Sequence, residues 1–233
     1  MGNQKWNWQQ PEWPDFIYEL TSLEDKEHRF LHKVALFLEA YNSLDEHKEG
    51  QFMLEVLSRE ALLTSEIEGV YLNLSDLKSS FLSFCQPDQR QPDVQEVSPA
   101  TTGITRSIID LHTTYASRLN HQMLHRWHKK TMLGRTDLRS VGSYRQDPVV
   151  IAAGSRIIFE PPPAERIGQE MDSFVHWFNR TSPNGDSPLP ALTRAGIAHL
   201  YFECIHPFED GNGRVGRAVS EKALAQSIGN YIQ

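Results

Sequence analysis

Cysteine is scarce: Cys85 and Cys204 are the only two in 233 residues. That is too few for a disulfide framework or a cysteine-ligated zinc site, and it points to a reducing, cytoplasmic setting. Long apolar runs are missing too; none approaches the roughly 20 residues that cross a bilayer. The N-terminus has no basic stretch followed by an apolar one, so no secretory signal is indicated. Positive charge is outnumbered, with 23 Lys and Arg against 30 Asp and Glu and a net charge of −7. A chain whose main task is coating nucleic acid or anionic membrane carries the opposite balance. What remains is 39% hydrophobic and 23% charged, an ordinary globular composition in a length suited to one domain of moderate size, or to one domain with an appended segment.

Strand character is almost absent as well. Pro148-Val149-Val150-Ile151 and Arg156-Ile157-Ile158-Phe159 are β-branched runs around Ala152-Ala153-Gly154-Ser155, which predicts a hairpin ended by Pro161, Pro162 and Pro163. Elsewhere the apolar spacing is helical. Phe30, Val34, Phe37, Leu38 and Tyr41 mark a helix from about Leu23 to Leu44. Phe52, Leu57, Ala61, Leu62 and Ile67 mark a second, from about Lys48 to a stop at Gly69. Ser75 reads as the cap of a short helix holding Leu77 and Phe81. The polar stretch 86–98, with two prolines, reads as an internal linker. Beyond it, Ile104, Ile108 and Leu111, then Met123, Trp127 and Met132, then Ile167, Met171 and Phe174, then Ile197, Leu200 and Tyr201 mark further helices. The expected fold is mostly α with one hairpin, divided into residues 1–95 and a core at 96–233.

The first residues hold Trp6, Trp8, Trp13 and Phe16 between Pro11 and Pro14. The prolines exclude a helix there, and so much aromatic surface is costly to expose. The segment is expected to pack onto the body rather than to serve as a docking arm.

Residues 206–217 read His-Pro-Phe-Glu-Asp-Gly-Asn-Gly-Arg-Val-Gly-Arg. Arg214 and Arg217 are permanent donors suited to phosphate oxygens. Gly211 and Gly213 let successive N–H groups turn toward one anion. Val215, Val219 and Ala223 carry a helix onward, whose N-terminal partial charge reinforces anion binding. Asp210 is a hard oxygen ligand for Mg²⁺, and His206 exchanges a proton near neutral pH.

This stretch matches the signature of the Fic family, His-Pro-Phe-x-(Asp/Glu)-Gly-Asn-Gly-Arg-x-x-Arg, at every specified position. Gly142-Ser143-Tyr144-Arg145, Phe159-Glu160-Pro161-Pro162 and the helix with Trp177 and Asn179 resemble the lead-in to a Fic core, so the resemblance covers about residues 100–229. The opening Trp6–Pro14 resembles a small N-terminal module of some bacterial Fic proteins. The resemblance implies a Fic-type helical bundle with a β-hairpin flap over the active-site loop. It also implies a protein adenylyltransferase that moves AMP from ATP, with Mg²⁺, onto a Ser, Thr or Tyr hydroxyl. His206 would take the proton, Asp210 would hold Mg²⁺, and the Gly211, Asn212 and Gly213 segment would stabilise the transferred phosphoryl group. Arg214 and Arg217 would bind the β- and γ-phosphates. The target protein would dock at the 149–159 hairpin. Many members of this layout continue into a further C-terminal domain, often winged-helix-like. Oligomeric state, a homodimer included, is left open.

A second pattern sits far upstream. Thr64-Ser65-Glu66-Ile67-Glu68-Gly69 resembles the family's inhibitory motif, (Ser/Thr)-x-x-x-Glu-(Gly/Asn). Thr64 and Glu68 share a helix face. The resemblance implies that Glu68 pairs with Arg217 in bidentate geometry and autoinhibits the enzyme in cis. The alternatives are a de-AMPylase in which Glu68 orients water, and a nucleotide-sensing module in which transfer is incidental. His121, His125 and His128 are spaced for a metal but lack a carboxylate or cysteine in register, so none is expected there.

Overall fold

A computed structural model describes residues 6–85 and 97–229. Its described residues form α1 (Leu20–Asn42), α2 (Glu46–Ile67), α3 (Leu74–Cys85), α4 (Pro99–Thr114) and α5 (His121–Thr131). The hairpin β1 (Ile151–Ala153) and β2 (Arg156–Phe159) follows, then α6 (Ile167–Arg180), α7 (Ala191–Ile205) and α8 (Asn212–Gly229). This is a mostly helical Fic-type arrangement with one antiparallel hairpin. No described helix is long and apolar enough to cross a membrane.

Local chemistry sets most boundaries. Asp45 caps α2 by accepting from the Lys48 N–H at 3.0 Å, Ser98 caps α4 from Thr101 at 3.1 Å, and Asn120 caps α5 from Met123 at 2.8 Å. Two expectations shift. The cap of α3 is Asn73, whose side-chain oxygen accepts from Ser75 at 2.8 Å; Ser75 lies inside the helix. The hairpin turn is tighter than its sequence suggested. Gly154, at φ 61°, supports a tight Gly154-Ser155 turn, so Ala152 and Ala153 join the strand and Pro148–Val150 fall outside it. Ile151 then pairs with Phe159 and Ala152 with Ile157, leaving Ile158 at a bulge. Residues 86–96 of the expected linker lie outside the described residues.

Two hydrophobic clusters hold the helices. The larger joins α5, α6, α7 and α8 through Trp127, Phe174, Phe178, Tyr201, Phe202 and Val219, all with no accessible surface. The tryptophan segment closes it: Trp13 meets Tyr201 edge-on at 5.0 Å and donates to Glu170 at 2.9 Å. Trp8 donates to the Glu160 carbonyl at 2.7 Å and Trp6 packs on Phe159, so the same segment braces the end of the hairpin. The smaller cluster, Ala61, Leu77, Phe81, Ile104 and Ile108, seats α2 and α3 on α4.

Two buried cations tie the helices together, one joining α8 to α4 and the other joining α7 to α6 and α8. Lys222 of α8 donates to the Thr114 and Tyr115 carbonyls at the end of α4, at 2.8 and 2.7 Å. Arg194 of α7 donates to Phe178 at 2.9 Å and to Ala223 at 3.1 Å. Cations at helix C-termini satisfy orphan carbonyls and the helix dipole together. Burial still lowers Lys222 to about 8.

Candidate active site

The 206–217 stretch is the joint between α7 and α8. His206 ends α7 in the left-handed region, at φ 51° and ψ 60°, and its N–H closes the helix on the Phe202 carbonyl at 2.9 Å. A non-glycine residue in that conformation is uncommon and persists only where its surroundings fix it. Here they do. Arg145, 3% exposed, donates through Nε to the His206 carbonyl at 2.8 Å and through its backbone to Pro207 at 2.9 Å. Its far end holds the Pro162 carbonyl at 2.5 Å, tying the loop to the segment after the hairpin.

Phe208 is the loop's anchor. It is wholly buried and lies flat on the His128 ring, with centroids 4.0 Å apart and planes 3° from parallel. The Gly142 N–H donates to His128 Nδ1 at 2.9 Å, so Nε2 carries the proton and donates to the Asp210 carbonyl at 3.0 Å. Burial lowers His128 to about 4, which keeps the ring neutral. His121 meets Tyr144 at 2.8 Å and Asp172 at 3.1 Å, and His125 packs edge-on to Tyr144. The three histidines therefore do not converge on a metal.

Asn212 holds the loop together from within. Its side chain accepts from the Phe208 N–H and donates to the Phe208 carbonyl, both at 2.8 Å, and it is 2% exposed. The amide clamps the loop from inside, with one N–H of its NH2 group on the Phe208 carbonyl. Gly211, at φ 78°, opens the turn onto α8, and a Cβ there would run into the Met132 thioether end.

His206 Nδ1 is buried without a hydrogen bond, 3.7 Å from the Glu203 carboxylate. Burial lowers His206 to about 4 and raises Glu203 to about 7. A neutral imidazole near pH 7 is the form that accepts a proton. Asp210 accepts from its neighbour's Gly211 N–H at 2.6 Å and from Arg135 at 2.7 Å. Burial opposes its charge, but those two donors outweigh it and hold the carboxyl below its ordinary value. Glu209 accepts from the Arg139 and Ser140 N–H groups at 2.9 and 3.0 Å, fixing the loop's outer side.

Arg214 donates to the Thr131 carbonyl at 3.3 Å, and its Nε is buried without a partner. Arg217 is gripped by the end of α2. Its Nε donates to Thr64 Oγ1 at 2.7 Å, and Nη2 donates to the Thr64 carbonyl at 3.0 Å and to Glu68 Oε1 at 2.7 Å. The expected bidentate pair is thus a single Glu68 contact, with Thr64 taking the rest of the guanidinium. Glu68 also overlies the start of α8, where a Cβ on Gly213 would collide with its carboxylate.

The end of α2 explains why that motif needs glycine. Gly69, at φ 73°, donates to Glu66 at 2.9 Å, and Val70 donates to Ser65 at 2.9 Å. This is a Schellman stop with glycine at the left-handed position. It leaves Glu68 as the C-cap, projecting past the helix end toward α8.

Sequence reasoning missed Arg145, Arg135 and Glu209 and read His128 only as a possible ligand. Each acts on backbone or on Asp210 across 61 to 82 residues. The one local signal was Arg145, inside the Gly142–Arg145 lead-in.

Residues 118–224 match the Fic/DOC family, and residues 6–83 match a family described as a domain of unknown function. A probable protein adenylyltransferase of Aquifex aeolicus is 32% identical over 84 residues, 36% of this chain and 24% of its own. The protein adenylyltransferase Fic of Drosophila mojavensis is 33% identical over 98 residues, 42% of this chain and 18% of its own. The chain thus spans less than a quarter of the length of these curated relatives. Among solved structures, a Fic domain containing signaling protein of Bacteroides thetaiotaomicron has a TM-score of 0.65 at 18% identity, covering 87% of this chain and 79% of that one. A Fic family protein of Desulfovibrio desulfuricans has a TM-score of 0.62 at 22% identity, covering 89% and 59%. With the complete signature folded between α7 and α8, residues 118–224 form a Fic/DOC family domain.

Proposed function

We propose that this chain transfers AMP from ATP to a Ser, Thr or Tyr hydroxyl of a protein, and that Glu68 restrains the reaction in cis. The observation that carries the reading is the grip on Arg217. Thr64 and Glu68 occupy the guanidinium that a terminal phosphate would need, and the Glu68 carboxylate stands where the α8 N-terminus favours an anion. Relatives named protein adenylyltransferases support the same activity.

In this reading His206, neutral at pH 7, accepts the proton of the attacking hydroxyl as its oxygen bonds to the α-phosphorus. The bond to the bridging oxygen breaks and pyrophosphate leaves. N–H groups at the start of α8 face charge developing on the transferred group, and Arg214 and Arg217 hold the β- and γ-phosphates. Asp210 fits a Mg²⁺ site: a single carboxylate at the nucleotide's edge is the usual protein share of such a site, once Arg135 gives up its bond. Mg²⁺ there would offset phosphate charge. Arg217 becomes available only when the Glu68 end of α2 moves away.

The hairpin suits target docking. Ile157 and Ile158 are about half exposed, and β1 and β2 form a sheet of only two strands with open edges. The module with the latch comprises the helices before residue 86, and the catalytic core those after residue 96.

The test is labelled ATP with Mg²⁺ in lysate. Glu68→Gly is expected to label proteins or itself, and Glu68→Gly with His206→Ala is expected to label nothing. Release of AMP from a modified target by the unaltered chain, lost in Glu68→Gly, would reverse the direction of the reaction.

A further inference from the structure

Glu60 of α2, His112 of α4 and Glu221 of α8 converge outside the site described above. His112 Nε2 lies 3.1 Å from Glu221 and 3.9 Å from Glu60, and one ligand atom of each residue falls within 4.8 Å of the other two. The Nε2 atom is shielded from solvent and faces both carboxylates; pairing with Glu221 and then Glu60 raises His112 to about 9, and burial raises Glu60 to about 7. Without a metal the three side chains form an ion-paired cluster, and a bound dication would displace the His112 proton. Beside Glu60 and Glu221 lies a cavity of about 30 Å³, room for one water.

We propose that Glu60, His112 and Glu221 form a binding site for a transition-metal dication of the zinc class, at the seam of α2 and α8. One imidazole and two carboxylates are a donor set that Zn²⁺ accepts readily, whereas Mg²⁺ prefers oxygen alone. Tetrahedral donors about 2.1 Å from a zinc ion stand about 3.4 Å apart, so the observed 3.1 and 3.9 Å need only small side-chain adjustments. Three protein ligands leave a fourth position, which the neighbouring cavity supplies with a water. Arg214 and Arg217 line the same cavity, but their guanidiniums are engaged with Thr131, Thr64 and Glu68.

The position gives the ion a consequence. Glu60 lies one turn before Thr64 on α2, and Glu221 one turn after Arg217 on α8. A metal here clamps the two helices whose ends meet in the Thr64–Arg217–Glu68 contact and favours the closed latch. That regulatory effect rests on the function proposed above; the binding itself does not.

The experiment uses the full chain, stripped with chelator, titrated with Zn²⁺ in a calorimeter and with Co²⁺ as a visible-absorbing stand-in. One Zn²⁺ per chain is expected. His112→Gln should weaken binding by more than the ~10-fold that losing an outer-shell partner costs, while Asp210→Asn leaves it unchanged. Binding that survives His112→Gln, or that Asp210→Asn abolishes, would overturn the proposal, as would no binding at all. If His112→Gln does not fold, Glu221→Gln takes its place. Anomalous scattering at the zinc edge then locates the ion, between these three side chains or elsewhere. Labelling by Glu68→Gly is independent of each of these outcomes.

Discussion

The signature loop and the α2 end that covers it are held in opposite ways. The loop is fixed by buried bonds with complete partners: Asn212 on Phe208, His128 on Asp210, and Arg145 on His206. Orphaning one group in such a network costs about 1–3 kcal/mol. The latch is one guanidinium shared by Thr64 and Glu68, and the Arg217–Glu68 pair is about a quarter exposed on both sides. A partly exposed ion pair is worth about 0–1 kcal/mol. The loop is therefore built to stay in place and the latch to let go. On the proposed function, catalytic geometry is preformed and control rests on the weakest contact near it.

The comparison can be broken first at the chemistry. His206→Ala in the Glu68→Gly background should cut labelled-AMP incorporation by about 10²–10⁴-fold, the usual share of a general base, while circular dichroism stays unchanged. Removing the anchor is the next largest effect. Phe208→Ala should cost about 3–5 kcal/mol in urea unfolding, because the cavity opens against His128 and Phe202.

Acid should act on the loop side of the comparison. His128 and His206 both fall from an ordinary 6.5 to about 4. Between those values the unfolded chain binds protons at these two rings that the folded chain refuses, so the two rings lower stability as pH drops from about 6.5 toward 4, while Glu203 and Glu60, raised to about 7, act in the opposite sense. Titration of the two imidazoles by NMR across that range separates them from the carboxyls. A ring that takes its proton near 6.5 would contradict its neutral assignment. Asn212→Ala should cost about 1–3 kcal/mol, since it orphans the Phe208 N–H and carbonyl. The smallest stability effect belongs to the latch: Thr64→Ala and Glu68→Gly should each change it by about 1 kcal/mol or less.

Much of this was legible wherever chemistry is local. The 206–217 stretch and the Thr64–Gly69 helix stop declare themselves because glycine, histidine and arginine act there within a turn or two of chain. The hairpin was legible in place but not in register, since Gly154 decides the turn and the β-branched runs do not. Asn73 lost to Ser75 because both cap well and only the start of the helix distinguishes them. The residues that position the loop were less visible. Arg145, Arg135 and His128 reach carbonyls or a carboxylate 61 to 82 residues away, and no spacing encodes that. The apolar spacing of α1 located the helix but not which side is covered: Phe37 is about half exposed and touches Tyr41 of its own helix and Phe52 of α2.

The most direct measurement is AMP incorporation from labelled Mg-ATP by the unaltered chain and by Glu68→Gly, side by side at equal concentration. The account predicts low labelling by the first and a rise of about fivefold by the second, the factor that ~1 kcal/mol of lost restraint gives. Equal labelling by the two, with Arg217 still required, would contradict it.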